Sequence, residues 1–104
     1  MKILNRYTGE VLLEIADGSL IGADLRGKDL EGADLRGECL FSADLSGTVL
    51  RYADLSGADL RAAILAGADL SGADLTDVAV DNADTTGIIM SHADWVLFTA
   101  LKSS

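Results

Sequence analysis

Residues 18–97 decide the fold, and in register they read GSLIG ADLRG KDLEG ADLRG ECLFS ADLSG TVLRY ADLSG ADLRA AILAG ADLSG ADLTD VAVDN ADTTG IIMSH ADWVL. These are sixteen consecutive five-residue units without an insertion, with Leu at most third positions and Ala at ten first positions. A helix places apolar residues three and four apart and a strand alternates them, so a period of five fits neither element. The stretch is therefore a repeat.

The fifth position of the unit is rich in glycine, which accepts tight bends because it lacks a Cβ. If residues one and three point inward and the fifth residue turns a corner, the chain forms a coil that bends every five residues. Residues twenty apart at one fifth position are all glycine, namely Gly27, Gly47, Gly67 and Gly87. This column favours four sides per coil, although an alternation of ten residues would explain the alanines equally well.

The units ADLRG, ADLSG and ADLTD resemble the A(D/N)LxX signature of pentapeptide repeat proteins, over about three quarters of the chain. The resemblance implies an all-β fold, a right-handed quadrilateral parallel β-helix with four units per coil and with Leu and Ala facing inward. Sixteen units would then make about four coils. At roughly 4.8 Å between hydrogen-bonded strands, the shaft would be about 19 Å long.

Two segments flank the repeat. Residues 1–17 contain two β-prone runs, ILNRY and EVLLEI, on either side of Thr8 and Gly9. This pattern predicts a β-hairpin, which would cap the N-terminal end of the shaft against edge pairing. Residues 98–104 are predicted to be a C-terminal tail or part of a dimer contact.

The C-terminal end of the repeat is apolar, and large apolar patches are uncommon on monomers. Either the tail folds over the last coil, or two copies meet there, which resembles the end-to-end dimerisation of some pentapeptide repeat proteins. The candidate dimer contact residues are Trp95, Leu97, Phe98 and Leu101.

The composition limits the function of this chain of 104 residues with a net charge of −9. Such acidity argues against direct binding to nucleic acid or to anionic membranes. The single Cys39 excludes an internal disulfide and favours a reducing compartment. No apolar run approaches the ~20 residues that span a membrane, and Arg6, Glu10 and Glu14 lie where a signal peptide would need an apolar segment. We expect a cytoplasmic protein of one domain.

Catalytic or ligand-binding motifs are not found in the sequence. His92 is the only histidine and occupies an outward corner, and Cys39 lies beside Glu38, which disfavours the thiolate. The periodic glycines lack the strand and helix context of a phosphate loop. We therefore expect no enzyme activity, no cofactor and no metal.

Two charged residues, Lys28 and Glu38, occupy first positions, which otherwise face inward. They could form an ion pair across the axis, although burial costs several kcal/mol per charge. Alternatively, both side chains could extend toward the N-terminal end or the wall of the shaft and reach water.

The second position of the unit carries aspartates in columns. The candidate acidic binding face is Asp34, Asp54, Asp74 and Asp94, and the opposite side has Asp24, Asp44 and Asp84, interrupted by Ile64. A structural interpretation is that each carboxylate accepts a backbone N–H at the bend. A functional one is a negative surface, because residues 18–97 contain fourteen acids and five bases.

These patterns predict a non-enzymatic scaffold that presents a rigid acidic surface to another protein of unspecified identity. The column of Ile21 and Phe41 is a candidate apolar patch on its wall. The resemblance also implies an alternative, a DNA mimic that binds a type II topoisomerase such as DNA gyrase. B-DNA carries one charge per ~1.7 Å, or about eleven over the length of the shaft, and this charge density is comparable with that of the shaft. A purely structural repeat module is a further alternative.

Overall fold

The computed structural model of the chain describes residues 1–91. The predicted site residues Asp94, Trp95, Leu97, Phe98 and Leu101, His92 and the tail 98–104 lie outside the described residues. Two strands, β1 (Lys2–Leu4) and β2 (Val11–Glu14), pair in an antiparallel hairpin in which Ile3 lies opposite Leu13. The side chain of Asn5 stabilises the connecting turn, since its oxygen accepts the Tyr7 N–H at 2.8 Å. A hairpin is therefore present where ILNRY and EVLLEI predict one.

The repeat forms a coil whose successive turns pair in parallel. Single bridges join residues twenty apart on every side, beginning with Asp24 to Asp44 and continuing to Asp69 with Ile89. Two bonds make each bridge: the Leu25 N–H donates to the Asp44 carbonyl at 2.8 Å, and the Asp44 N–H donates to the Ala23 carbonyl at 2.9 Å. The chain thus returns to the same side every twenty residues, the period that the glycine column favours.

The core of the coil consists of the third-position leucines and the first-position alanines. From Leu20 to Leu70 every third-position leucine is at most 2% exposed. Thr48 occupies a first-position slot with 0% exposure, and its hydroxyl donates to the Leu25 carbonyl at 2.7 Å. Because buried polar groups must be hydrogen-bonded, this bond lets a threonine replace an alanine inside the shaft.

The corners share one backbone conformation. Every fifth position from residue 22 to residue 87 has a positive φ, including five that are not glycine: Ser42, Tyr52, Ala62, Asp77 and Asn82. The left-handed region costs a residue with a Cβ roughly 1–2 kcal/mol. The repeat therefore imposes the corner, and glycine only makes it less costly.

The hairpin joins the shaft on one of its four sides. Asn5 forms an antiparallel bridge with Ala33, where the Asp34 N–H donates to the Leu4 carbonyl at 2.8 Å and the Arg6 N–H donates to the Gly32 carbonyl at 2.7 Å. Ile3 is 1% exposed and belongs to the same apolar core as the leucines. On this side the hairpin takes the place of a preceding coil.

Lys28 and Glu38 do not form the ion pair across the axis: Lys28 is exposed and Glu38 is half-buried. They border separate cavities, Lys28 near Leu13 and Ile15, and Glu38 near Lys2 and Arg36. The alternative in which both side chains reach water describes the structure. Within residues 1–91, no helix has the length and apolarity to cross a membrane.

Candidate protein-binding surface

The second-position aspartates close the bend that follows them. In each case the carboxylate accepts the backbone N–H two residues later, at 3.0–3.3 Å, as for Asp34 with Arg36 and Asp74 with Thr76. The aspartates that do so are Asp24, Asp29, Asp34, Asp44, Asp54, Asp59, Asp69, Asp74 and Asp84. The structural interpretation of these residues thus accounts for their spacing.

The fourth residue of the unit supplies a second partner for the same carboxylate. Arg26, Arg36 and Arg61 bind their aspartates through two nitrogens at 2.8–2.9 Å. In five other units a Ser or Thr hydroxyl donates at 2.6–2.7 Å, as in Ser56 to Asp54. Sequence reasoning missed this pairing, although the signal is visible in the recurring DLR, DLS and DLT.

Three arginines also reach a neighbouring coil. Arg26 lies 3.8 Å from Asp44, and Arg36 lies 3.9 Å from Asp54. Arg51 binds Glu31 at 3.0 Å and lies 3.7 Å from Asp69. Exposed ion pairs contribute only about 0–1 kcal/mol each, but here they offset the repulsion between stacked carboxylates.

These contacts stabilise the charged form of the aspartates. Hydrogen bonds from the Arg26 side chain and backbone lower the pKa of Asp24 to about 2, below its ordinary value of 3.8. The Arg36 side chain lowers the pKa of Asp34, and the Arg61 side chain lowers that of Asp59. For Asp74, the Thr76 hydroxyl is the largest cause of a lowered pKa.

Acid is therefore expected to destabilise the fold. A carboxyl whose pKa is lowered by folding stabilises the protein above its unfolded pKa, and this contribution is lost as the pH falls through its folded pKa. For Asp24 this window runs from the ordinary value of 3.8 down to about 2. Urea midpoints at about pH 7, 4 and 2 measure the effect. Asp24→Asn keeps the turn acceptor without titrating, so it should lose less stability between pH 4 and 2. A midpoint that rises in acid would show that relief of repulsion dominates.

The aspartates of the candidate acidic face are partly neutralised by arginines. The bridges align Asp34, Asp54 and Asp74 in one column. Asp54 is 8% exposed, and its carboxylate lies 3.6 Å from Arg6 and 3.9 Å from Arg36. Within residues 1–91, Asp74 is the one member of the column without a cationic nitrogen within 4.0 Å. The negative charge of this face therefore lies toward its C-terminal end.

The distribution of acidic and basic residues along the sequence changes in the same direction, although Asp69 lies 3.7 Å from Arg51. Residues 62–91 contain five acidic residues and no Lys or Arg. These aspartates are Asp69, Asp74, Asp77, Asp81 and Asp84. This uneven distribution of charge is visible in the sequence, but it is hidden when the acidic and basic residues are counted over the whole of residues 18–97. We call residues 62–91 the acidic coils.

The candidate apolar patch lies near the opposite end. Ile21 is 57% exposed and Phe41 40% exposed. The Gly22 N–H donates to the Phe41 carbonyl at 2.9 Å, so the two side chains belong to adjacent coils of one column. The Arg61 guanidinium lies 5.8 Å from the centroid of the Phe41 ring. The patch is small and is bordered by a cation.

Other chemistry is sparse in the described part of the chain. Cys39 is a half-buried free thiol whose sulfur lies 3.9 Å from an Asp59 oxygen. Residues 1–91 contain no group of three or more His, Cys, Asp or Glu that could hold a metal ion.

A family model for pentapeptide repeats matches residues 19–37 and 39–78, in eight copies. A search of curated proteins found no match. Among solved structures, HetL of the cyanobacterium Nostoc sp. strain PCC 7120, a pentapeptide repeat protein involved in heterocyst differentiation regulation, is 38% identical over 69% of this chain and 40% of its own, with a TM-score of 0.47.

Two further solved structures are similar. Rfr23, a pentapeptide repeat protein of the cyanobacterium Cyanothece 51142, is 30% identical over 66% of this chain and 50% of its own, with a TM-score of 0.50. QnrB1, a plasmid-mediated fluoroquinolone resistance protein, is 18% identical over 81% of this chain and 45% of its own, with a TM-score of 0.43. The chain thus spans half or less of the length of each of these three proteins.

Proposed function

The chain belongs to the pentapeptide repeat family, and we propose that it is a non-enzymatic scaffold that binds another protein through its acidic coils. In this proposal the shaft is a right-handed quadrilateral β-helix of about four coils, and the hairpin caps its N-terminal end. The shaft provides rigidity, and its carboxylates provide the contacts.

The single observation that carries the proposal is the absence of Lys and Arg from residues 62–91, beside five aspartates. Three of these carboxylates are already fixed by a backbone N–H and a hydroxyl, as Asp74 is by Thr76 at 3.0 and 2.6 Å. A fixed charge loses little conformational freedom on binding. A basic protein surface would therefore be attracted electrostatically and would find acceptors already oriented.

Substitution by asparagine tests this function, because asparagine has nearly the shape of aspartate without its charge, and at Asp74 it also keeps the oxygen that closes the bend. The test variant is the triple change Asp74→Asn, Asp77→Asn and Asp81→Asn. The matched control, Asp24→Asn with Asp34→Asn and Asp59→Asn, removes the same charge from carboxylates that already bind arginines.

Partners captured by cross-linking would be purified, and their Kd for each variant would be measured at two salt concentrations. We expect the test variant to weaken binding about tenfold or more, while the control stays close to the unmodified protein. An equal loss of affinity in both variants would mean that binding depends only on the net charge of the protein and not on the acidic coils. No loss in either would contradict the proposal and favour a purely structural module.

A second candidate function is DNA mimicry toward a type II topoisomerase such as DNA gyrase. The observation that favours it is again the acidic coils, which contain five aspartates and no Lys or Arg of their own, because a DNA backbone likewise carries only negative charge. Purified protein at micromolar concentration should then change the supercoiling activity of DNA gyrase. Unchanged supercoiling would contradict this candidate and leave the scaffold proposal intact.

A homodimer through Trp95, Leu97, Phe98 and Leu101 is also proposed from the sequence alone. Light scattering at several concentrations should detect a dimer that Phe98→Asp splits. A monomer in both cases would contradict it.

A further inference from the structure

The first coil has backbone groups that no preceding coil can satisfy. Within the shaft, a second-position residue bonds to the coil before it, as when the Asp44 N–H donates to the Ala23 carbonyl at 2.9 Å. At the N-terminal end, Asp34 uses the hairpin instead and donates to the Leu4 carbonyl. Within residues 1–91, the backbone N–H and C=O of Asp24 and Asp29 have no hydrogen-bond partner. Two sides of the first coil therefore present an open sheet edge.

The hairpin shows how a strand fits this edge. Leu4, Asn5 and Arg6 run antiparallel to residues 32–34, with one bond from the second-position N–H and one to the corner carbonyl of Gly32. The same two backbone groups, a second-position N–H and a corner carbonyl, are present on the preceding side of the coil, at Asp29 and Gly27. Since β1 runs antiparallel to the coil, this side is the next that a strand would meet beyond Arg6. The open edge continues an interface that the chain already uses.

Space for a side chain lies beside this edge. A cavity of about 340 Å³ separates the hairpin from the first coil. Its apolar lining includes Leu13, Ile15, Ala23 and Leu25. An apolar residue of an added strand could enter it while the backbone pairs.

The edge contains Arg26 and Lys28 as well as Asp24 and Asp29, and its selectivity for an added strand depends on the Asp29 carboxylate. The Asp29 carboxylate is exposed and accepts the Glu31 N–H at 3.2 Å. Within residues 1–91 it has no cationic nitrogen within 4.0 Å, whereas Asp24 binds Arg26 at 2.9 Å. Opposite charges across paired strands stabilise them, so a Lys or Arg facing Asp29 fits this position.

We propose that the open edge along residues 22–29 binds an extended segment of a partner protein, which pairs antiparallel and carries alternating apolar and basic residues. Main-chain bonds supply affinity and the side chains supply specificity, as in other cases of strand addition. This site rests on the proposed scaffold function and gives it a second contact, at the end opposite the acidic coils.

The test uses the isotope-labelled full chain and the blocked peptide TVKVKVT. We expect the peptide to shift the amide signals of residues 22–29 in a saturable titration. A peptide N-methylated at alternate residues keeps the side chains but loses backbone donors, and it should bind about tenfold more weakly or worse. Asp29→Asn should weaken binding of TVKVKVT but not of the neutral TVTVTVT.

Several results would overturn the site. They are an absence of shifts at residues 22–29 at millimolar peptide, shifts insensitive to N-methylation, and equal binding of TVEVEVT. Shifts at these amides that depend on protein concentration alone would assign the edge to a second copy of the chain. The triple variant at Asp74, Asp77 and Asp81 should bind the peptide normally, so failure of this site and failure of the acidic coils give different results.

Discussion

Replacing Leu55 with alanine is expected to lower the free energy of unfolding by about 2 to 5 kcal/mol, through the cavity that the lost atoms leave. Leu55 occupies a third-position slot in a middle coil and is 0% exposed. Its N–H donates to the Asp74 carbonyl at 2.9 Å, and its carbonyl accepts the Ala58 N–H at 2.9 Å. Backbone held on both sides cannot easily collapse into the cavity. Urea unfolding of both proteins measures the difference.

Ile21→Ala is the matched control, because Ile21 is 57% exposed on the outside of the coil. Its effect should stay within about 0.5 kcal/mol, as for most surface substitutions. If Leu55→Ala instead cost less than the control, the third position would not face inward.

Gly72→Ala is expected to lower the free energy of unfolding by about 2 to 4 kcal/mol, from two causes that add. Gly72 has a φ of +70°, and a Cβ built there would lie 2.6 Å from the Cδ1 atom of Tyr52. The left-handed corner disfavours any Cβ, and the Tyr52 ring must also move. Thermal or urea unfolding gives the size of the loss.

Gly67→Ala separates the two causes. Gly67 has the same φ of +70°, but a Cβ there would have no atom within 4 Å. It should therefore show only the backbone cost of about 1–2 kcal/mol. Equal losses in both variants would mean that Tyr52 does not cover Gly72, and no loss in either would contradict the left-handed corners.

The coil could be predicted from the sequence because its determinants repeat. Most units place Leu at the third position and a small residue such as Ala53 at the first, so one register, with both positions facing inward, fits the whole stretch. The column of Gly27 and Gly47 then favours a period of twenty. Local steric rules and burial of apolar residues decide all of these features.

Other features depend on contacts between residues of different coils, and the pattern of a single unit does not predict such contacts. Tyr52 occupies a corner that glycine usually fills, and its ring lies over Gly72 in the next coil. Arg6 reaches the Tyr52 carbonyl at 3.3 Å and ties the hairpin to a residue far along the chain. Neither contact follows from the composition of one unit.

The alignment of the second-position aspartates could be predicted from the sequence, while their role as a binding face stays a prediction. The column of Asp34, Asp54 and Asp74 exists, but arginines bind its first two members. The sequence gives the total charge of the shaft. Which carboxylates are neutralised depends on the side chains that the coil brings together. The open edge at Asp29 also required the structure, since only the position of β1 shows which side of the first coil is covered.

Residues twenty apart stack on the same side of the coil, and the core, the acidic coils and the open edge all depend on this period. Nuclear Overhauser contacts between backbone protons test this period most directly. The structure predicts contacts between Asp34 and Asp54, and between Asp54 and Asp74, which bridge in parallel. Contacts at a spacing of fifteen residues, or none between these aspartates, would contradict the four-sided coil and the surfaces built on it.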